Sequence, residues 1–318
     1  MQHFVHSHST NPQSWTVSYR DVFTTKISSQ QDNLLIFSCL CFESKIVRKL
    51  DTNFKLGALA IFTSSKSVRM QTIQSPSGFP DWLLGPPDIH MWTFSLDVSP
   101  SVLIVLEGFL SPAEIERARG FVSDQHRNRF TAGRGIMRTL LSRYVRDEPA
   151  KLEFDYGSHG KPFLAGAFAQ SQLHFNLAHT EHLALLAVTR GGPIGVDLEK
   201  IRPITEADQL ATDFFSSLES DALKNLPPEE KVAAFLNLWT RKEACLKAAG
   251  RGLGNLPHEM DVAPKILRNF EPAPGFVAAL AVLTEIDTVF CSCWDEEATR
   301  KILESLIGSE GASDLGRL

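Results

Sequence analysis

Two short apolar runs separated by a breaker constrain this fold most. Residues 183–188 read Leu-Ala-Leu-Leu-Ala-Val and residues 194–198 read Ile-Gly-Val-Asp-Leu. Between them, after Thr189, stand Arg190, Gly191, Gly192 and Pro193. Apolar runs of this length, bounded by Gly and Pro, are strands, and the Gly-Gly-Pro segment is a turn. The natural reading is a β-hairpin.

Other segments fill in the frame. Residues 90–96 alternate well enough for a strand, and residues 173–176, 275–283 and 288–294 read as three more. Ser111, Pro112 and Glu114 give a helix start: Ser as N-cap, Pro at the first helical position, Glu at the third. That helix is expected to run to about residue 123. A second covers 131–145, with Ile136, Leu140, Leu141 and Tyr144 on one face. The clearest helix is 229–249, where Val232, Phe235, Leu236, Trp239 and Leu246 keep helical spacing and Gly250 is the stop. Helices mixed with strands are compatible with an α+β fold. No internal sequence repeat is visible.

Residues 1–75 differ from the rest: they are rich in Ser, Thr, Gln and Asn and sustain no periodicity. They read as a poorly ordered extension, with Met70 a plausible start. Residues 298–318 read as a C-terminal tail. The first ten residues lack the basic start and apolar stretch of a secretory signal. The apolar run at 34–42 is far shorter than the ~20 residues a membrane helix needs. A cytoplasmic protein is expected. Net charge is −5 and the pI about 6.1, so bulk electrostatics give no reason to expect nucleic-acid or membrane-surface binding. Cys39 and Cys41, and Cys291 and Cys293, form C-x-C pairs with Cys245 alone. They read as alternating strand positions rather than as disulfides or a metal site.

Three segments carry chemistry. In Gly195-Val196-Asp197-Leu198-Glu199, strand alternation puts Asp197 and Glu199 on one face. Two carboxylates on one face suit a hard cation, although a solvated strand face shows the same pattern. In Trp239-Thr240-Arg241-Lys242-Glu243-Ala244-Cys245-Leu246-Lys247, helical spacing puts Trp239, Glu243 and Lys247 on one face. A surface ion pair explains that spacing equally well. The third segment joins Gly160-Lys161-Pro162-Phe163 to Phe175-Asn176-Leu177-Ala178-His179-Thr180. There Lys161 is biased to an extended conformation by the following proline. His179, at a strand end, can aim a ring nitrogen at a phosphate, although a lone histidine there is more often structural.

In order and spacing these strings resemble the Sfp-type 4′-phosphopantetheinyl transferase family. The matching strings are RFTAGRGIMRTLLSRYV at 129–145, GKPFL at 160–164, FNLAHT at 175–180, IGVDLEKIRPI at 194–204 and WTRKEACLKAAGRGL at 239–253. The stretches at 85–96 and 129–145 are most similar to cyanobacterial members of the HetI kind. The resemblance spans residues 89–294.

The resemblance implies two similar α+β halves, here 86–192 and 193–297, packed pseudo-symmetrically around a cofactor cleft in a monomer. It implies transfer of the 4′-phosphopantetheine arm of coenzyme A to a serine of an apo acyl- or peptidyl-carrier protein, the holo-[acyl-carrier-protein] synthase reaction, with adenosine 3′,5′-bisphosphate leaving. Asp197, Glu199 and Glu243 match magnesium-binding positions. Arg129, Lys161, Pro162, His179 and Lys247 match positions that hold coenzyme A, and Glu243 and Lys247 match catalytic ones. Ala178 stands where the family usually has Ser, which removes one hydroxyl contact to the cofactor. Six arginines between 127 and 146 (127, 129, 134, 138, 143, 146), with no acid among them, suit phosphate contacts, and part of the stretch suits docking of an acidic carrier, while Arg143 and Arg146 read rather as a solvated helix face. Two other readings stay open on the residues alone. One is a protein that binds coenzyme A or a carrier without turnover; the other is a magnesium-dependent phosphohydrolase.

Overall fold

The computed structural model describes residues 69–73, 84–85, 88–252, 263–295 and 297. Among them, strands β1 (Arg69–Ile73), β2 (Asp88–Ser95), β5 (His174–Thr180), β6 (Leu183–Thr189) and β10 (Thr288–Trp294) form one sheet in the order β1-β10-β2-β6-β5. A second sheet takes the order β7-β9-β8, from β7 (Ile194–Lys200), β8 (Ile266–Phe270) and β9 (Phe276–Val282). A ribbon of β3 (Phe154–Tyr156) and β4 (Pro162–Leu164) stands apart from both. The helices are α1 (Pro100–Glu107), α2 (Pro112–Arg119), α3 (Asp124–Val145), α4 (Ala207–Phe214), α5 (Ser217–Lys224) and α6 (Pro228–Ala249). The α+β expectation holds. Among the described residues no helix is long and apolar enough to cross a membrane.

The hairpin expected at 183–198 does not form. β6 pairs with β2 and β5, while β7 pairs with β9 in the other sheet. Every residue of β6 is buried, as are the first five of β7. Strands this apolar need cover on both faces, and the Gly-Gly-Pro segment supplies it by carrying the chain between sheets. Gly192 makes that turn at φ 126°, a conformation L side chains rarely adopt.

Alternation along β2 sets the layering. Trp92 and Phe94 join Ile136, Met137, Leu140 and Leu141 of α3, together with Phe175 and Leu186, in one apolar cluster. Ile89 and Met91 face the other way. They join Leu185 of β6, Val196 and Leu198 of β7, Leu280 of β9 and Val289 of β10, so this cluster draws on both sheets. Beyond β7 and β9, Ala244, Cys245 and Ala248 of α6 pack on Ala279, Ala281 and Leu267. The small residues let α6 lie close to its sheet.

Sequence signals marked several ends correctly. Ser111 caps α2 through a reciprocal box with Glu114, and Gly250 ends α6 in a left-handed conformation. α2 stops at Arg119 rather than near 123, because Gly120 ends it, and a new helix begins after Ser123. Residues 69–73, the end of the stretch read as an extension, form the strand beside β10. Most of that stretch, Cys39 and Cys41 included, and the tail at 298–318 lie outside the described residues. Cys291 and Cys293 are alternate residues of β10, as expected, and carry no disulfide.

Candidate active site

The site forms where β7 passes under the last turns of α6. Val196 and Leu198 point into the cluster shared by the sheets, so Gly195, Asp197 and Glu199 point the other way. Gly195 lies directly beneath α6: a Cβ there would meet the backbone of Ala244, Lys247 and Ala248. The missing side chain lets the helix settle onto the strand. Lys247 Nζ is then 2.6 Å from Asp197 Oδ1 and 4.0 Å from Glu243 Oε2. A strand carboxylate and a helix carboxylate thus meet on one ammonium group.

Burial grades the three residues. Asp197 is 3% exposed, while the side chains of Glu243 and Lys247 are 14% and 30% exposed. Asp197 Oδ2 is buried and has no hydrogen-bond partner among the described residues. Buried polar atoms are nearly always paired, so an unpaired carboxylate oxygen is a strong acceptor waiting for a donor or cation. Among the described residues no three His, Cys, Asp or Glu side chains are arranged to hold a metal by themselves. Lys247 takes one oxygen of Asp197, and Glu199 lies 3.5 Å from the Thr180 hydroxyl. An acceptor-only carboxylate with one free oxygen still fits magnesium, which keeps waters and substrate oxygens among its ligands.

Two residues not singled out in sequence hold this frame. Gly195 permits the close approach. Asn176 Oδ1 accepts the backbone N–H of Val196 at 2.8 Å, tying β5 to β7 beside Asp197. A buried Asn inside an apolar strand was the available signal for the second; for the first it was a Gly inside another such strand.

The expected coenzyme-binding residues are spread more widely. Lys161 Nζ donates to the backbone oxygens of Ile194 and Lys247, both at 2.7 Å, and burial pushes its pKa down to about 8. Pro162 opens β4 opposite Tyr156. His179 is exposed near the end of β5. Arg129, on α3, makes a two-pronged ion pair with Asp97, through Nε at 2.6 Å and Nη2 at 2.8 Å. Hydrogen bonding to that guanidinium holds the Asp97 carboxyl below its usual range.

The arginine series divides as well. Arg134 and Arg138 are not part of a docking face: both turn inward onto Glu114 of α2. Arg138 also donates to the backbone oxygens of Pro149 and Leu152 and is 2% exposed. Arg127 pairs with Asp124 on its own helix. Arg143 is half-buried, and Arg146 is exposed at the helix end, where it closes α3 at φ 59°.

Comparison with known proteins agrees with this geometry. Residues 193–293 match the 4′-phosphopantetheinyl transferase superfamily, and residues 98–190 match the 4′-phosphopantetheinyl transferase N-terminal family. The 4′-phosphopantetheinyl transferase HetI of Nostoc sp. strain PCC 7120 is 42% identical over 220 residues, 63% of this chain and 93% of HetI. The transferase Sfp of Bacillus subtilis strain 168 is 30% identical over 145 residues, 46% of this chain and 62% of Sfp. AcpT of Salmonella typhimurium is 41% identical over 114 residues, 36% of this chain and 56% of AcpT. With both site-bearing segments inside the matched regions, the chain belongs to the 4′-phosphopantetheinyl transferase family of enzymes, as an Sfp-type, HetI-like member.

Proposed function

We propose that the protein transfers the 4′-phosphopantetheine arm of coenzyme A to a serine hydroxyl of an apo acyl- or peptidyl-carrier protein, leaving adenosine 3′,5′-bisphosphate. The observation that carries this reading is the buried, unpartnered Oδ2 of Asp197, set beside a lysine that bridges towards Glu243. Asp197, Glu199 and Glu243 are the residues to hold magnesium. Bound there, it would supply neutralisation of the negative charge on the phosphates of coenzyme A.

The chain's own groups supply the rest. Glu243 takes the serine proton, directly or through water, as the serine oxygen bonds to the pantetheine-side phosphorus. The bond from that phosphorus to the bridging oxygen breaks, and Lys247 steadies the charge on the departing bisphosphate. Arg129 and His179, both on the first half, supply contacts to the nucleotide phosphates. In this reading the halves 86–192 and 193–297 pack pseudo-symmetrically with coenzyme A in the cleft, and the enzyme works as a cytoplasmic monomer.

The test is mass spectrometry of several apo carrier proteins incubated with enzyme, coenzyme A and Mg²⁺. The expected result is a gain of the phosphopantetheine mass on at least one carrier, abolished by chelation. No gain on any carrier would sink the reading. Loss of coenzyme A without an acceptor would favour a hydrolase instead.

A further inference from the structure

Lys161 sits in a loop of the first half, yet both oxygens that it reaches belong to the second. One is the carbonyl of Ile194, the first residue of β7 and three before Asp197. The other is the carbonyl of Lys247 itself, in the last turn of α6. That carbonyl has only the long 3.3 Å hydrogen bond from the Gly250 N–H among the backbone hydrogen bonds of the described residues, and it lies at the negative end of the helix dipole, so an ammonium group suits it. The same loop adds a second hold, with His159 Nδ1 3.1 Å from the Gly250 carbonyl. Gly252 lies against that ring: a Cβ on it would stand 2.8 Å from His159 Cδ2. Neither oxygen met by Lys161 belongs to an acid, and burial without a counter-charge is what lowers this lysine.

We infer that Lys161 is a positioning residue: its ammonium fastens the end of α6 to the start of β7 and thereby sets the contact of Lys247 Nζ with Asp197. This differs from the phosphate-holding role that the family resemblance implies for the same residue. It rests on the transferase reading, because the contact it protects matters for that chemistry.

The two roles separate kinetically. A phosphate ligand distinguishes coenzyme A from coenzyme A lacking its 3′-phosphate; a positioning residue affects both alike. The experiment compares the full-length wild type with Lys161→Met and Lys161→Arg on both forms, with Mg²⁺ and a saturating apo carrier. Lys161→Met should lower kcat about tenfold or more with either form, the scale on which small misplacements act. KM for coenzyme A should stay within about threefold, and the kcat/KM ratio of the two forms should not move. Lys161→Arg, which keeps donors, should recover part of kcat. A raised KM with unchanged kcat, or lost discrimination between the two forms, overturns the inference.

Amide hydrogen exchange supplies a readout that needs no turnover. In Lys161→Met, exchange should quicken in the last turn of α6 and at the start of β7. Unchanged exchange there overturns the inference even if the wild type is active. A wild type inactive on every carrier sinks the transferase reading, and the exchange result still decides the positioning claim. Should Lys161→Met not fold, Lys161→Gln, which keeps one donor group, carries the same expectations.

Discussion

Gly195 and Ala244 are in backbone contact: a Cβ on the glycine would overlap the Ala244 carbonyl oxygen. The other two atoms that Cβ would meet, Ala248 N and Lys247 C, are helix backbone as well, which cannot rotate away as a side chain can. Gly195→Ala should therefore lift α6 from β7. We expect a loss of about 3 kcal/mol, the upper part of the range for overpacked sites, read as a lower urea midpoint. Transfer should fall further than stability explains, because Lys247 and Glu243 ride on the displaced helix.

Much of this was legible in the sequence. Caps and periodicity located α2 and α6, because those signals are local. The matched strings pointed to Asp197, Glu243 and Lys247, and the structure brings them together. The partner of β7 was not legible. Its run looks like half of a hairpin, and only the burial of both faces, a tertiary fact, sends it to β9. The roles of Arg134 and Arg138 were hidden for the same reason. An arginine on a helix reads as surface until a buried acid such as Glu114 is seen beside it.

Asp197→Asn separates stability from activity. The carboxylate is buried with one oxygen unpaired, a state that costs stability. An amide of the same shape removes the buried charge. Unfolding free energy should stay within about 1 kcal/mol of wild type or rise. Carrier modification should drop by two orders of magnitude or more, the scale of losing one charge-stabilising group. A large drop in the urea midpoint would show that the Lys247 ion pair is structural.

His90 gives a pH signature. It is 4% exposed, its Nδ1 lies 2.9 Å from the Tyr144 hydroxyl, and that hydroxyl accepts from Trp92 Nε1. Burial pushes its pKa from 6.5 down to about 4. Between those values the unfolded chain binds a proton that the native state does not. Stability from this residue is therefore complete above pH 6.5 and is lost as pH falls towards 4. Between pH 7 and pH 5 the loss is about 2 kcal/mol. His90→Gln should remove this part of the acid sensitivity, seen by comparing urea midpoints of both proteins at the two pH values.

Glu114 should matter more for stability than any of the exposed acids. Its carboxylate takes Arg134 on one oxygen and Arg138 on the other, and it also accepts the Ser111 backbone N–H at the start of α2. Burial alone would raise its pKa, yet the two guanidiniums hold it below the usual range, so it stays ionised. Glu114→Ala leaves Arg138 charged and 2% exposed, with two backbone oxygens and the face of Phe154 but no carboxylate beside it among the described residues. Removing one member of such a buried set costs about 3–5 kcal/mol. Asp97→Ala breaks the other two-pronged arginine pair, but Asp97 is 54% exposed, so that loss should stay under about 1 kcal/mol. Equilibrium unfolding of the two variants side by side checks the contrast. Equal losses would mean that Arg138 finds another counter-charge, and that the link from α2 to α3 does not depend on this carboxylate.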